Sequence, residues 1–208
     1  MEERIHKILS FLQEIEKYKT VERKMYSSNL KRTESDAEHS WHVAMFLFLF
    51  EKELPNLDMN KMLKLALMHD LVEIYAGDTF AFDKKNQATK KEREFESSKK
   101  LFSQLPEDLN NEFTDLFNEY EDVKTSEAKI VKSFDKIQPI LQNLCSEGKS
   151  WKEHGITFSD INDYKRKHME HNNFILEIYE KLLNDAKKKE ENRKEIKPLT
   201  GNQTKISI

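Results

Sequence analysis

Apolar residues recur every three or four positions along most of this chain, the spacing of one face of an α-helix. Ile5, Ile8, Leu9, Leu12 and Ile15 predict a first amphipathic helix. Residues 19–35 are polar and irregular and predict a loop. Ser35 and Glu38 stand at the spacing of a capping box, so a second helix starts there and ends before Pro55. Its apolar residues go nearly all round, which predicts a central helix. Asp58 can cap a third helix from about Met59 to Tyr75, stopped by Gly77. Residues 79–91 read as a lysine-bearing loop, and Lys90 to Leu105 as a fourth helix. Pro106 suits the first position of a fifth. Ser126 can cap a sixth reaching about Ser146, followed by a loop holding Trp151, His154 and Gly155. Ser159 can cap a long last helix with Ile161, Tyr164, His168, Ile175, Ile178, Tyr179 and Leu182 along one stripe. No strand-like alternation and no internal repeat is visible. After Ala186 the apolar content nearly vanishes. The pattern predicts an all-α bundle over residues 1–186 and a solvated polar tail over 187–208.

Composition narrows the picture. With 208 residues the chain fits one domain with a real core. Four glycines and four prolines leave little room for turns, in keeping with long helices. The net charge of −3 lacks the basic footprint of a nucleic-acid binder. The single cysteine, Cys145, forms no intramolecular disulfide and suits a reducing cytosol. The N-terminus lacks the basic-then-apolar layout of a signal peptide. The run Val43–Phe50 falls far short of the roughly 20 residues that cross a bilayer. A cytoplasmic protein with no membrane partner is expected.

The chemistry lies in the polar residues that interrupt apolar segments. His39, His69, Asp70 and Asp135 offer two imidazoles and two carboxylates, a ligand set for one divalent metal. Three of them fall in segments that otherwise read as apolar helix, where ionisable groups are costly unless paired or metal-bound. Mixed nitrogen and oxygen donors suit Mn, Co, Fe, Ni or Zn better than Ca. Glu73 follows His69 by four residues, on the same helical face. A metal-dependent hydrolase is the reading these residues support.

Taken together, the stretches KTVER, RTESDAEHSWHVA, LALMHDLVEIYAGDTFAFD, LPEDL and EYEDVKTSEAKIVKSFDKIQPIL resemble the HD superfamily of metal-dependent phosphohydrolases. The likeness is to the branch holding bacterial 5′-deoxynucleotidases and related HD-domain hydrolases, and runs from about Lys19 to Leu144. It implies an HD-domain helical bundle with a mononuclear metal site between central helices, and His39, His69, Asp70 and Asp135 as metal ligands. It implies Glu73 as the residue that handles the nucleophilic water, Asp78 as a second acid near it, and Arg23 near the substrate. It also implies a phosphorylated small molecule as substrate, nucleoside or deoxynucleoside 5′-monophosphates first, and a homodimer. Mn or Co is the favoured ion, ahead of Mg, Ni, Fe or Zn. Some deoxynucleotidases carry a tryptophan beside the arginine that excludes the 2′-hydroxyl; Lys24-Met25-Tyr26 stands here instead, which leaves the sugar preference open. Two alternatives stand beside the monophosphatase: hydrolysis of a cyclic nucleotide, alarmone or nucleoside triphosphate, and a nucleotide-binding module without turnover. His42 reads as a satisfied helix histidine, His168 as core packing, and the aromatic residues Trp41, Phe46, Phe48 and Phe50 as core.

Overall fold

A computed structural model of the chain describes residues 1–196. Helices α1 (Glu2–Glu14), α2 (Asp36–Leu49), α3 (Met59–Met68), α4 (Glu73–Ala76), α5 (Lys84–Phe102), α6 (Glu107–Asp122), α7 (Ser126–Cys145), α8 (Lys149–Glu153), α9 (Phe158–Lys165) and α10 (Asn173–Ile196) follow in order. Helices α2, α3 and α7 pack against one another, α6 covers α3, and α10 lies on α7. Val43, Leu47, Met62, Leu65, Phe134, Ile137 and Ile140 are buried where these helices meet. The all-α expectation holds apart from one hairpin.

That hairpin corrects the loop expected over residues 19–35. Strand β1 (Glu22–Tyr26) pairs antiparallel with β2 (Thr33–Ser35), with an irregular register between Glu22 and Tyr26. Two strands this short carry too few apolar residues for alternation to show. Met25 is the buried one, and Ser150 Oγ and Gln142 Nε2 donate to the carbonyls of Lys24 and Tyr26. The strand is held by other elements rather than by its own propensity. The capping box is present: the Ser35 side chain accepts from the Glu38 amide, and Glu38 accepts from the Ser35 amide. Helix α2 is not central on every face. Trp41, Phe48 and Leu49 are exposed while Val43 and Leu47 are fully buried.

The long third helix expected through Tyr75 breaks after Met68. His69 Nδ1 lies 2.9 Å from the Ala66 carbonyl, an acceptor that an uninterrupted helix would give to the residue 70 amide. Beyond it the chain turns tighter, with Glu73, Ile74 and Tyr75 amides bonding three residues back. Gly77, at φ +74°, ends the segment in a conformation that side chains rarely adopt. The loop expected over residues 79–91 is also shorter, because Asp83 caps α5 at the Asn86 amide. Thr125, not Ser126, caps α7, and Pro106 is the cap of α6 rather than its first residue. Pro139 sits inside α7 one turn after Asp135, where it withholds the amide that the Asp135 carbonyl would accept.

The single last helix is two. Thr157 caps α9 in a capping box, a 3-10 turn covers Arg166–His168, and Asn172 starts α10 by accepting from the Phe174 and Ile175 amides. Helix α10 continues past Ala186 to Ile196, where a solvated tail was expected. Its lysines and glutamates are good helix formers, and Lys189 Nζ reaches the Leu144 carbonyl at 2.7 Å. Residues 197–208 of that tail lie outside the described residues. No helix among the described residues is long and apolar enough to cross a membrane.

Candidate metal centre

The break after Met68 brings His69 and Asp70 to the point where α2, α3 and α7 converge. His39 from α2 and Asp135 from α7 arrive from the other two helices, and all four side chains are buried. One donor atom from each lies within 4.8 Å of all the others. His39 Nε2 is 3.2 Å from Asp135 Oδ1 and 3.8 Å from Asp70 Oδ2. His69 Nε2 is 3.1 Å from Asp70 Oδ2 and 4.0 Å from Asp135 Oδ1.

Neighbouring groups fix how the imidazoles present themselves. The Ala66 carbonyl can only accept, so His69 Nδ1 carries a proton and Nε2 is a lone pair in the neutral ring; against burial, the Asp70 and Asp135 charges raise the His69 pKa, the pull those carboxylates exert on any cation at Nε2. Gln138 Nε2 donates to Glu34 Oε2 at 3.1 Å, so its Oε1 accepts from His39 Nδ1 at 2.8 Å. His39 Nε2 is then a lone pair as well. Burial and the Arg23 charge push the His39 pKa down to about 4, which keeps the ring neutral. With neutral rings, imidazole lone pairs therefore face carboxylate lone pairs across about 3 Å, and His69 Nε2 has no hydrogen-bond partner among the described residues. Such acceptor-to-acceptor contacts are unfavourable unless a cation sits between them. The donor set fits a divalent ion, as the sequence predicts.

At the Asp70 end the surroundings are acidic. Arg23 from β1 donates through Nη1 to Asp36 Oδ1 at 2.9 Å and Asp70 Oδ2 at 3.0 Å, with Asp78 Oδ1 at 3.7 Å. Its Nε is 3.7 Å from Glu34 Oε1. Burial alone would lower the Arg23 pKa, but Asp78, Asp36 and Asp70 hold it well above the ordinary value. Arg23 does line the cleft, with most of its charge already engaged. Burial pushes Glu34 up to about 7 and Asp36 to about 6, against the pull of Arg23.

Glu73, on α4, is 1% exposed. Lys90 from α5 holds its Oε1 at 3.1 Å and Glu94 at 2.9 Å. Glu73 Oε2 and Asp36 Oδ2 are both buried acceptors without a donor, and Asp36, Asp70 and Glu73 each place an oxygen within 4.8 Å of the others. Burial and the Asp70 charge raise the Glu73 pKa well above the usual range, against the pull of Lys90. Asp78, just beyond Gly77, is raised mainly by burial. The sequence pattern thus brings Glu73, Asp78 and Arg23 to the ligand cluster.

The Asp135 end was not anticipated. Asp135 Oδ2 accepts from Tyr120 Oη at 2.7 Å and pairs with Lys136 Nζ at 2.9 Å. Lys132 lies one turn before Lys136, its Nζ 3.9 Å above the Tyr120 ring, and Lys165 from α9 donates to the Lys136 carbonyl at 2.7 Å. Lys132 and Lys136 stand four residues apart on one helix face, and nothing in the sequence links them to Lys165. These lysines and His168 line the same cleft as Arg23, His69, Asp70, Glu73 and Asp78, a cavity of about 350 Å³. His168 therefore borders the cleft instead of packing in the core. His42 is half-buried, 3.3 Å from Gln138 Nε2, and Cys145 is exposed.

The model of the family described as HD domain matches residues 15–179. Proteins named 5′-deoxynucleotidase HDDC2 from Bos taurus and Homo sapiens are each 35% identical to the chain over 136 residues. That stretch is 65% of this chain and 65% and 66% of those proteins, so the chain matches just under two thirds of their length. A crystal structure described as a predicted metal-dependent phosphohydrolase from Magnetospirillum magnetotacticum superposes with a TM-score of 0.82 at 34% identity, covering 90% of this chain and 97% of that one. With the family model spanning most of the chain and a His/Asp cluster at its centre, this protein belongs to the HD-domain family.

Proposed function

We propose that this protein is a metal-dependent phosphohydrolase that cleaves deoxynucleoside or nucleoside 5′-monophosphates to nucleoside and inorganic phosphate. The observation that carries the reading is the buried quartet His39, His69, Asp70 and Asp135, each with a donor atom within 4.8 Å of the others, and with His69 Nε2 lacking a hydrogen-bond donor or acceptor partner among the described residues. The names of the curated relatives support the substrate class. A divalent ion held by the quartet, Mn or Co by preference, supplies Lewis acidity toward water and toward a phosphoryl oxygen.

The chain's own groups do the rest. Arg23 fixes Asp70, and Gln138 fixes His39, in the orientation binding requires. Ionised Glu73 takes a proton at Oε2 from the attacking water, its raised pKa making it a stronger base than a free carboxylate, while Lys90 holds its other oxygen still. Water's oxygen bonds to phosphorus as the phosphorus–O5′ bond breaks. Asp78, whose pKa burial raises, is placed to pass a proton from solvent to the departing O5′. Ordering these groups in a buried cleft removes the reorganisation that bulk water would demand.

We also propose that residues 1–186 form the catalytic unit, that the protein acts in the cytoplasm without nucleic-acid partners, and that it dimerises. The net charge of −3 and the lone cysteine favour the first two settings. Of the apolar stripe over the last two helices, Ile161, Ile175 and Tyr179 are buried within the chain, so we place the dimer contact on Trp41, Phe48, Leu49 and Leu67, which are exposed. The test is a phosphate-release assay of ribo- and deoxyribonucleoside 5′-monophosphates with Mn, Co, Mg, Ni, Fe and Zn. Release of phosphate from monophosphates is expected. Release of pyrophosphate from a triphosphate alone, or tight nucleotide binding with no turnover under any metal, would refute it.

A further inference from the structure

Three lysines converge at the Asp135 end of the cleft without enough negative charge around them. Lys165 is 4% exposed, and its only hydrogen bond among the described residues is to the Lys136 carbonyl, which is neutral. Lys136 has Asp135 as its partner. Lys132 has Glu121, at 3.5 Å, and the Tyr120 ring. His168 adjoins them, and the neighbouring Lys136, Lys167 and Lys132 charges oppose its protonation. Tyr164 stands near, its ring 5.9 Å from Lys136 Nζ, and carries no charge. The carboxylates that pair with these lysines among the described residues are thus Asp135 and Glu121, two against three.

Loading the metal site deepens the imbalance. A divalent ion bound by the quartet uses the charge of both Asp70 and Asp135, and Asp135 is the acid that Lys136 pairs with. Gathering one buried and two half-buried like charges costs free energy that a nearby anion offsets. Arg23 is placed otherwise: Asp36, Asp70, Asp78 and Glu34 already surround it.

We infer that Lys132, Lys136 and Lys165 form a seat for the phosphoryl oxygens of the substrate, with His168 at its edge and Arg23 serving mainly to hold Asp70. The inference rests on the phosphohydrolase reading above and deepens it by naming what binds the phosphate. A phosphomonoester carries about two negative charges near neutral pH, which matches the deficit. The seat lies one residue from the metal ligand Asp135, so an oxygen held there stays beside the quartet. Burial and Lys136 bring the Lys165 pKa down to about 7 in the empty cleft, the direction expected of an ammonium that lacks its anion.

The experiment titrates inorganic phosphate into the Mn-loaded protein by calorimetry, for wild type, Lys165→Gln and the double variant Lys132→Met/Lys165→Met. Neither residue touches a metal ligand, so Mn affinity should persist and is measured alongside. Wild type should bind phosphate, and the double variant should bind about tenfold or more weakly, as expected for lost charge-assisted hydrogen bonds. Lys165→Gln keeps a donor for the Lys136 carbonyl and guards against a folding defect; it should show an intermediate loss. Phosphate should also raise the melting temperature of wild type more than that of the double variant. Equal affinity in all three proteins, or no binding by wild type, would overturn the seat. Monophosphate turnover by the same preparations separates the two ideas. Turnover with unaltered phosphate affinity sinks the seat alone, whereas lysine-dependent phosphate binding without turnover supports the seat and sinks the reaction.

Discussion

The two ends of the cleft treat charge in opposite ways. Around Asp70, the carboxylates of Glu34, Asp36, Glu73 and Asp78 outnumber the Arg23 and Lys90 charges threaded among them, so that end keeps an excess of acid. Around Asp135, lysines outnumber acids and the protein leaves the difference open. The first end suits the handling of cations, a metal ion and a proton. The second suits an anion that arrives from outside. What this teaches is that the quartet is a boundary: Asp70 and Asp135, proposed here as ligands of one ion, face opposite fields.

Substitutions can break this contrast, and the largest effect should come from the boundary itself. Asp70→Ala should abolish both metal binding and turnover, because it removes a ligand and leaves Arg23 facing the ion; a variant that is active without metal would contradict the ligand set. Glu73→Gln should keep the metal, measured as Mn per chain, and lower kcat by about 10²- to 10⁴-fold, the usual contribution of general acid–base catalysis. Retained turnover would remove Glu73 from the role of base. Gln138→Leu frees the His39 ring and should weaken metal binding by about 10- to 100-fold, as loss of an orienting partner does. Calorimetry with Mn reads this directly, and an unchanged affinity would mean that His39 is held by other means.

The smallest effect concerns Glu34, which sharpens the acidic end. Its folded pKa, pushed up to about 7, lies above the value of about 4.3 expected when unfolded. The folded state therefore binds the extra proton between those values, and Glu34 costs stability as pH rises through that window. His39 and His168, both held at about 4, pull the wild-type curve the other way. The diagnostic is the difference: Glu34→Gln should gain stability relative to the metal-free wild type as pH climbs from about 5 to 7. Parallel melting curves across that window would show that Glu34 does not titrate there.

Much of the Asp70 end was legible in the sequence. The capping box at Ser35, the cap at Asp58 and the stop at Gly77 place His39, His69 and Asp70 correctly, because each depends on residues a few positions apart. The break at His69 was not legible. It arises from a side chain competing for the Ala66 carbonyl, an event no periodicity records. The hairpin that carries Arg23 and Glu34 was hidden for a similar reason, since its support comes from Gln142 and Ser150, more than a hundred residues away in sequence. The lysine seat needs α9 to turn back onto α7, and a run predicted as one long last helix conceals that turn. Local signals placed the ligands, whereas tertiary contacts determined what surrounds them.

The most direct measurement is an anomalous-diffraction map from crystals grown with Mn. The account predicts a peak at one point bonded to His39 Nε2, His69 Nε2, Asp70 and Asp135, and no such peak in Asp70→Ala. A wild-type map with the ion elsewhere, or with those four side chains turned away from any common ion, would contradict it.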